Sequence, residues 1–329
     1  MRIALPWAIV VLALFFVSLA IGSAFQVRRL ERMVFDAEAR LRSEMSGERK
    51  KNAQRRWRIL KTFSKELGLI KRSELPLWTR LHDCLCRWTP PPQIPKNLQE
   101  AYTIKGRIPV VYWYHDDAYS EEEALIFETA EVERLREKAR RREEYGYAGT
   151  DHFLYSALND FPVYGLLVAV MGSVRPWYEA VALEFGARSC LTIEYNRIIS
   201  SHPLIRATTP DDFEGHHKVV DAVFSISSFE HDGLGRYGDQ LSPDADLEAM
   251  RKTRAMLRPG GYLYLSVPIG RDLLVWNAHR IYGNLRFPLL VAGWERVAQY
   301  GCKREDFERD RGKGGGFQPV FVLRKTVNA

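Results

Sequence analysis

A chain of 329 residues with 46% hydrophobic and 27% charged side chains has enough apolar material to form a core. Its net charge of +7 is local: 15 Lys or Arg stand against 6 Asp or Glu between Arg28 and Arg72, and the rest of the chain has 33 against 35. That distribution argues against a nucleic-acid partner, which needs a basic folded face. Four cysteines, Cys84, Cys86, Cys190 and Cys302, are too few for a disulfide framework and lack zinc-site spacing, so they read as reduced thiols.

Residues 3–25, IALPWAIVVLALFFVSLAIGSAF, contain no charged residue, and at about 1.5 Å per residue they are long enough to cross a bilayer core. A transmembrane anchor is expected here. A cleaved signal ending near Gly22-Ser23-Ala24 is the competing reading. Arg2 stands alone before the span, while Arg28, Arg29, Arg32, Arg40 and Arg42 follow it, which places the C-terminal side in the cytosol. A lumenal, Golgi-type orientation is the alternative. Residues 26–95 read as a basic helical stem and linker. Leu30, Val34, Ala37 and Leu41 make a short stripe, and the cations suit anionic lipid headgroups at about 1 kcal/mol each.

The stretch Thr89-Pro-Pro-Pro-Gln-Ile-Pro95 is a stiff extended break. Within an extension spanning 96–160, residues 108–114 (IPVVYWY) read as an aromatic strand. Ser120 followed by Glu121, Glu122 and Glu123 predicts a helix start, with the helix running to about Tyr145.

From Gly165 the pattern alternates strand and helix. Strands are expected at 166–172, 191–195, 204–207, 221–227 and 262–267, with a late one at 319–323, and helices at 177–185 and 244–257. Such alternation predicts an α/β, Rossmann-like, doubly wound, mainly parallel sheet over 161–329. Ligands of such sheets sit beyond the C-terminal strand ends. Gly172 and Ser173 turn the chain after the first strand, and Glu194 ends the second. A carboxylate there suits the two ribose hydroxyls of an adenosine-containing ligand; a solvated strand end is the plain alternative. Asp211 and Asp212, after the third strand, are placed either for an adenine amino group or for an ordinary turn. The fourth strand ends in Ser227-Ser228-Phe229-Glu230-His231, and Leu257-Arg-Pro-Gly-Gly261 precedes the fifth.

These last two segments resemble the Ser-x-x-Glu-His and Leu-x-Pro-Gly-Gly stretches of small-molecule, class I S-adenosylmethionine-dependent methyltransferases. More closely, residues 225–239 (SISSFEHDGLGRYGD), Val267-Pro268 and residues 276–283 (WNAHRIYG) resemble the nematode-rich family known as domain of unknown function 268, over roughly 161–301. The resemblance implies S-adenosylmethionine as cofactor, contacted by Gly172, Ser173, Glu194, Asp211, Asp212 and Ser227. It departs at the first turn, which has one glycine and no acid where methyltransferases usually carry an acid and more glycines.

His231 reads either as the base that takes a proton from a small or carbohydrate-like acceptor or as a loop organiser. Arg236, Tyr237 and Asp239, on a glycine-rich loop, and His279, after the fifth strand, are the candidate acceptor contacts. His216-His217 lacks a spaced third ligand, so no metal is expected. Two other classes remain open: a non-catalytic membrane module that kept the fold, and a Rossmann enzyme using a nucleotide sugar or dinucleotide. The oligomeric state is not readable.

Overall fold

A computed structural model of the chain describes residues 89–117, 124–147, 149–214 and 219–326. The expected anchor and stem, Cys84, Cys86, Ser120 to Glu123 and His216-His217 lie outside the described residues. No helix among the described residues is long and apolar enough to cross a membrane.

Residues 96–160 contribute α1 (Gln99–Tyr102), β1 (Val110–Trp113), β2 (Leu125–Phe127), α2 (Thr129–Arg140) and α3 (Thr150–Asp160). The sequence predicted helix through Leu125–Phe127, and here the structure corrects it. These three residues pair in parallel with Ile198–Ser200 and bury Phe127, so the helix begins only at Thr129, whose amide donates to Ser201 Oγ at 2.9 Å. Local acidic spacing favours a helix start, but apolar residues that can bury in a strand outweigh it.

The main sheet then forms. Its elements are β3 (Leu167–Met171), α4 (Trp177–Glu184), β4 (Ser189–Ile193), the short β5 (Ile198–Ser200), β6 (Ile205–Thr208), α5 (Pro210–Glu214), β7 (Val220–Ile226), α6 (Ala245–Met256) and β8 (Leu257–Ser266). The chain finishes with β9 (Leu273–Asn277), β10 (His279–Ile281), α7 (Phe287–Leu290), β11 (Glu295–Tyr300) and β12 (Val320–Arg324).

Seven strands lie in the order β11-β12-β8-β7-β3-β4-β6. The five from β6 to β8 are parallel, and β12 runs antiparallel to both β8 and β11, so the sheet is mixed rather than all parallel. Strand alternation feeds two cores. Val168, Val170, Phe224, Tyr264 and Val322 face α2, α3 and α4. Ala169, Val223, Leu263, Leu265 and Phe321 face α6 and α7. Both faces are covered, as continuous apolar strands of a doubly wound sheet require. Strand order reverses between β3 and β7, which opens a crevice at their C-terminal ends.

A second sheet, β1-β9-β10, pairs the aromatic strand in parallel with β9. Its core gathers Ile94, Tyr102, Ile108, Leu234, Leu274 and Trp276. Trp276 is fully buried, meets Tyr102 edge-on at 5.1 Å and donates from Nε1 to the Pro91 carbonyl at 3.1 Å. Tyr114 Oη donates to the Pro90 carbonyl at 2.9 Å, so the proline-rich stretch is fastened to this sheet. Tyr102 Oη in turn donates to the Gly233 carbonyl at 2.6 Å and ties the sheet to the loop after β7.

Replacing Trp276 with Ala removes this core's largest side chain and its partly buried hydrogen bond to Pro91. We expect a loss of about 3–5 kcal/mol, read from the urea midpoint of unfolding. An unchanged midpoint would show that the second sheet does not unfold with the body.

Candidate functional site

The C-terminal ends of β3, β4 and β7 bring Gly172, Glu194 and Ser227 to one edge of the sheet. The Gly172 amide donates to the Ile193 carbonyl at 3.0 Å, which sets Glu194 beside the first turn. Gly172 has φ +69, and a Cβ there would lie 2.4 Å from Ser228 Oγ. The glycine is therefore required by close approach, but what approaches it is the chain's own serine. Ser227 holds φ +52, a strained conformation for a side chain with a Cβ.

Glu194 is 7% exposed, and burial raises its carboxyl pKa against the opposing effect of Asn196. The Asn196 amide and Nδ2 donate to Glu194 Oε1 at 3.1 and 3.0 Å, which fixes the carboxylate's orientation. Ser173 serves the fold instead. Its Oγ donates to the Arg175 carbonyl at 2.8 Å and lies 3.0 Å from Glu179 Oε2. Asp211 and Asp212 fall in α5. Asp212 is exposed, accepts from Thr209 Oγ1 at 2.9 Å and closes a turn there.

Beyond β7 the site becomes buried and polar. Ser227 Oγ donates to Glu230 Oε1 at 2.6 Å and accepts from Gln318 Nε2 at 3.0 Å. Glu230 is fully buried, and burial drives its pKa up to about 7 against the Ser227 hydrogen bond. Its Oε2 has no hydrogen-bond partner among the described residues, nor does Gln318 Oε1 or His279 Nε2. Unpaired buried polar atoms are uncommon, and Glu230 and Gln318 both flank Ser227 at the end of β7.

His231 Nδ1 lies 2.6 Å from the Ala278 carbonyl, which only accepts, so the ring proton sits on Nδ1 and Nε2 carries the lone pair. Nε2 is 3.7 Å from Glu230 Oε1. Burial pulls the imidazole down to about 3, and Arg236 adds to this, while the Ala278 hydrogen bond opposes it. His279 is likewise pulled down to about 4 by burial and by Arg236. Both rings are neutral at pH 7. Their centroids are 6.2 Å apart, and Tyr237 stands edge-on to His231 at 5.5 Å.

The other candidate acceptor contacts have structural work. Arg236 Nε donates to Asp117 Oδ2 at 2.7 Å, so its charge is already paired. Asp239 accepts from the Gly235 and Tyr237 amides at 3.2 and 3.3 Å and folds the loop on itself. Arg280, next to His279, is buried. Its Nη1 donates to the Asp232 carbonyl at 2.7 Å, and it braces the loop from behind.

Sequence reasoning missed Glu179 and Gln318. Glu179 is fully buried, and Thr192 Oγ1 donates to its Oε1 at 2.7 Å. Its signal was legible as a carboxylate set among apolar residues in the interior of the helix WYEAVALE, whose other acid, Glu184, is at its end. Gln318 carries no pattern of its own; only the antiparallel return of β12 brings it to Ser227. An open groove of about 450 Å³ between α6 and α7, lined by Leu247, Met250, Arg254 and Trp294, lies near Lys325 at the opposite end of the sheet. The buried acid–histidine pair lies elsewhere, beyond β7.

Burial raises Glu179 to about 7 against the Thr192 and Ser173 hydrogen bonds. The folded state thus favours its neutral form. The stability this contributes is complete below the ordinary carboxyl pKa and is lost as pH rises through about 7. Glu179→Gln should flatten the stability change between pH 5 and pH 8, by on the order of 3 kcal/mol. Urea midpoints at the two pH values measure it, and an unaltered pH dependence would refute it.

Residues 165–311 match the family described as "Caenorhabditis protein of unknown function, DUF268". No curated protein matches the chain. Among solved structures, the chain is similar to the N-methyltransferase NodS from Bradyrhizobium japonicum, with 13% identity, 59% of this chain and 97% of that one covered, and a TM-score of 0.35. It is similar to a ribosomal protein L11 methylase from Lactobacillus delbrueckii subsp. bulgaricus, with 13% identity, 55% and 81% covered, and a TM-score of 0.33. A provisional S-adenosylmethionine-dependent methyltransferase from Streptococcus mutans shows 10% identity, 52% of this chain covered and a TM-score of 0.33. This chain spans 47% of that protein's length. All three likenesses are distant.

Proposed function

Starting from a chain whose residues 165–311 are those of a DUF268 protein, we propose a membrane-anchored, methyltransferase-like enzyme that uses S-adenosylmethionine on a small acceptor. The observation that carries the reading is the placing of Glu194, and of Glu230 with His231, at C-terminal strand ends on either side of the strand-order reversal. One carboxylate there is fixed for hydroxyl recognition, and one buried acid–histidine pair stands across the crevice. In this reading residues 3–25 hold the protein in a membrane with the described body on the cytosolic side, and the basic stem lies along anionic lipid.

The residues present fit the cofactor at Glu194, whose oriented carboxylate would accept from ribose hydroxyls. They fit less well at the first turn, where Ser228 takes up the space over Gly172 and Ser173 is bonded internally. When bound, the cofactor supplies an activated methyl group, so the protein has only to align the acceptor and receive a proton. Glu230 suits the second task better than His231. A carboxyl poised near 7 holds a proton at neutral pH, while an imidazole pulled down to about 3 does not. His231, with its proton fixed on Nδ1, orients an acceptor hydroxyl or amine through Nε2.

The serine over Gly172 favours a second reading, in which the module keeps the fold without the cofactor. Calorimetry of the full chain in a neutral detergent with S-adenosylmethionine separates the two. Our reading expects saturable binding that weakens at least about tenfold in Glu194→Ala, and no binding at millimolar ligand would leave the non-catalytic module standing. Once an acceptor is in hand, the rate should rise with pH through about 7 as Glu230 loses its proton. Glu230→Gln should cut kcat by about 10²-fold or more while cofactor affinity holds. A wild-type rate in that variant would remove Glu230 from the chemistry.

A further inference from the structure

Glu179 takes no part in the chemistry described above, yet it lies fully buried in the first turn of α4. It joins two segments that end at the crevice. Thr192 Oγ1 of β4 donates to its Oε1 at 2.7 Å, and Ser173 Oγ, in the turn after β3, lies 3.0 Å from its Oε2. Ser173 Oγ also donates to the Arg175 carbonyl at 2.8 Å, and that bond closes the turn. Among the described residues the amides of Ser173, Val174 and Arg175 donate to no backbone carbonyl, while the Trp177 amide reaches the Arg175 oxygen at 2.7 Å.

The protons available to this network set its charge. A hydroxyl has one proton, and a carbonyl can only accept. With the Ser173 proton directed at Arg175, the contact to Glu179 needs a proton on Oε2. A neutral Glu179 completes the set: Oε2 donates to Ser173 and Oε1 accepts from Thr192. An ionised carboxylate cannot donate, and it attracts the Ser173 proton more strongly than a neutral carbonyl does. Ser173 then turns to Glu179, and the carbonyl of Arg175, an exposed residue, is left to solvent.

The elements packed on α4 bring no cation to Glu179. β4 faces it with Thr192 and with Cys190, whose Sγ lies 3.7 Å from the Glu179 carbonyl and whose thiol burial keeps neutral. β3 presents the apolar Val168 and Val170, and Arg136 and Arg140 of α2 pair with Glu184 at the far end of the helix. Among the described residues Glu194 is the charge that bears on it, and it opposes ionisation. We infer that Glu179 is a proton-operated latch on the 172–176 turn, holding it closed when neutral and releasing it when ionised. Burial, the main cause, raises the carboxyl to about 7, so the latch is closed below that pH and open above it. That the turn borders a cofactor, so that proton and cofactor binding are coupled, rests on the S-adenosylmethionine reading. The latch itself does not.

The test uses the full chain in a neutral detergent, without S-adenosylmethionine, at about pH 6 and about pH 8. Hydrogen–deuterium exchange of residues 172–178, corrected for its intrinsic pH dependence, should quicken about fivefold at the higher pH, the factor of one ordinary hydrogen bond. Exchange in β7 should stay constant. Glu179→Gln, whose side-chain amide donates to Ser173 at either pH, should hold the slow rate at both. Ser173→Ala removes the latch and keeps the acid. Its 172–178 segment should exchange fast at both pH values, while the infrared band of a protonated carboxyl, taken against Glu179→Gln with Ser173→Ala, still fades between them. Glu230→Gln should respond like wild type, which separates Glu179 from the other carboxyl near 7. Equal wild-type exchange at the two pH values, a pH response kept in Glu179→Gln, or one lost in Glu230→Gln would overturn the latch. Because S-adenosylmethionine binding is measured separately, either reading can fail while the other stands.

Discussion

The arrangement depends on one buried ionic cluster. Asp246, near the start of α6, is wholly buried and receives Arg286 Nε at 2.9 Å, Arg286 Nη2 at 2.5 Å and Tyr282 Oη at 3.0 Å. Burial pushes its carboxyl up, but Arg280 and Arg286 outweigh that and hold it below the usual range. The same two arginines donate to the Pro243 carbonyl, and Arg280 also reaches Asp232. The helix, the β10 hairpin and the loop after β7 are therefore fixed to one charge. Such a cluster contributes little net stability over an apolar replacement, but removing one partner leaves a buried charge exposed to no solvent. Its consequence is positional, because the loop it fixes is the one that carries Glu230 and His231.

That rigidity explains the electrostatics of the crevice. A loop held from behind cannot swing its carboxyl or imidazole out to water, so desolvation governs both. Glu230 rises to about 7 and His231 falls to about 3 for the same reason, the cost of a charge in a dry place. The second sheet completes the enclosure. Trp276 and Tyr102 pin it over the 233–239 loop, and its backbone at Ala278 fixes the His231 tautomer. Residues from distant parts of the chain thus act as a roof over strand ends that would otherwise face solvent.

Much of this was legible beforehand. The apolar runs that became β3, β4, β7 and β8 were placed within a few residues, because strands buried on both faces leave continuous hydrophobic stretches. The positions at their C-terminal ends followed from the fold, and Gly172, Glu194 and Ser227 do converge. Strand β11, Glu-Arg-Val-Ala-Gln-Tyr, was not legible, since an edge strand at half burial leaves a weak polar–apolar pattern. The strand at 125–127 was hidden under an acidic helix-start pattern, because its partner lies some seventy residues away.

By itself, the sequence determined the doubly wound body, the apolar N-terminal segment with its basic flank, and the pairing of an acid with a histidine beyond the fourth parallel strand. These are local properties, set by side-chain periodicity and by the run of charges. The tertiary structure alone decided which residues keep free chemistry. Arg236 and Asp239 lost theirs to Asp117 and to loop amides, while Ser173 went to Glu179 and the turn. Glu230 kept an oxygen, Oε2, without a partner among the described residues. Hydrogen bonds and burial are made with neighbours from other parts of the chain, so no window of sequence could assign them.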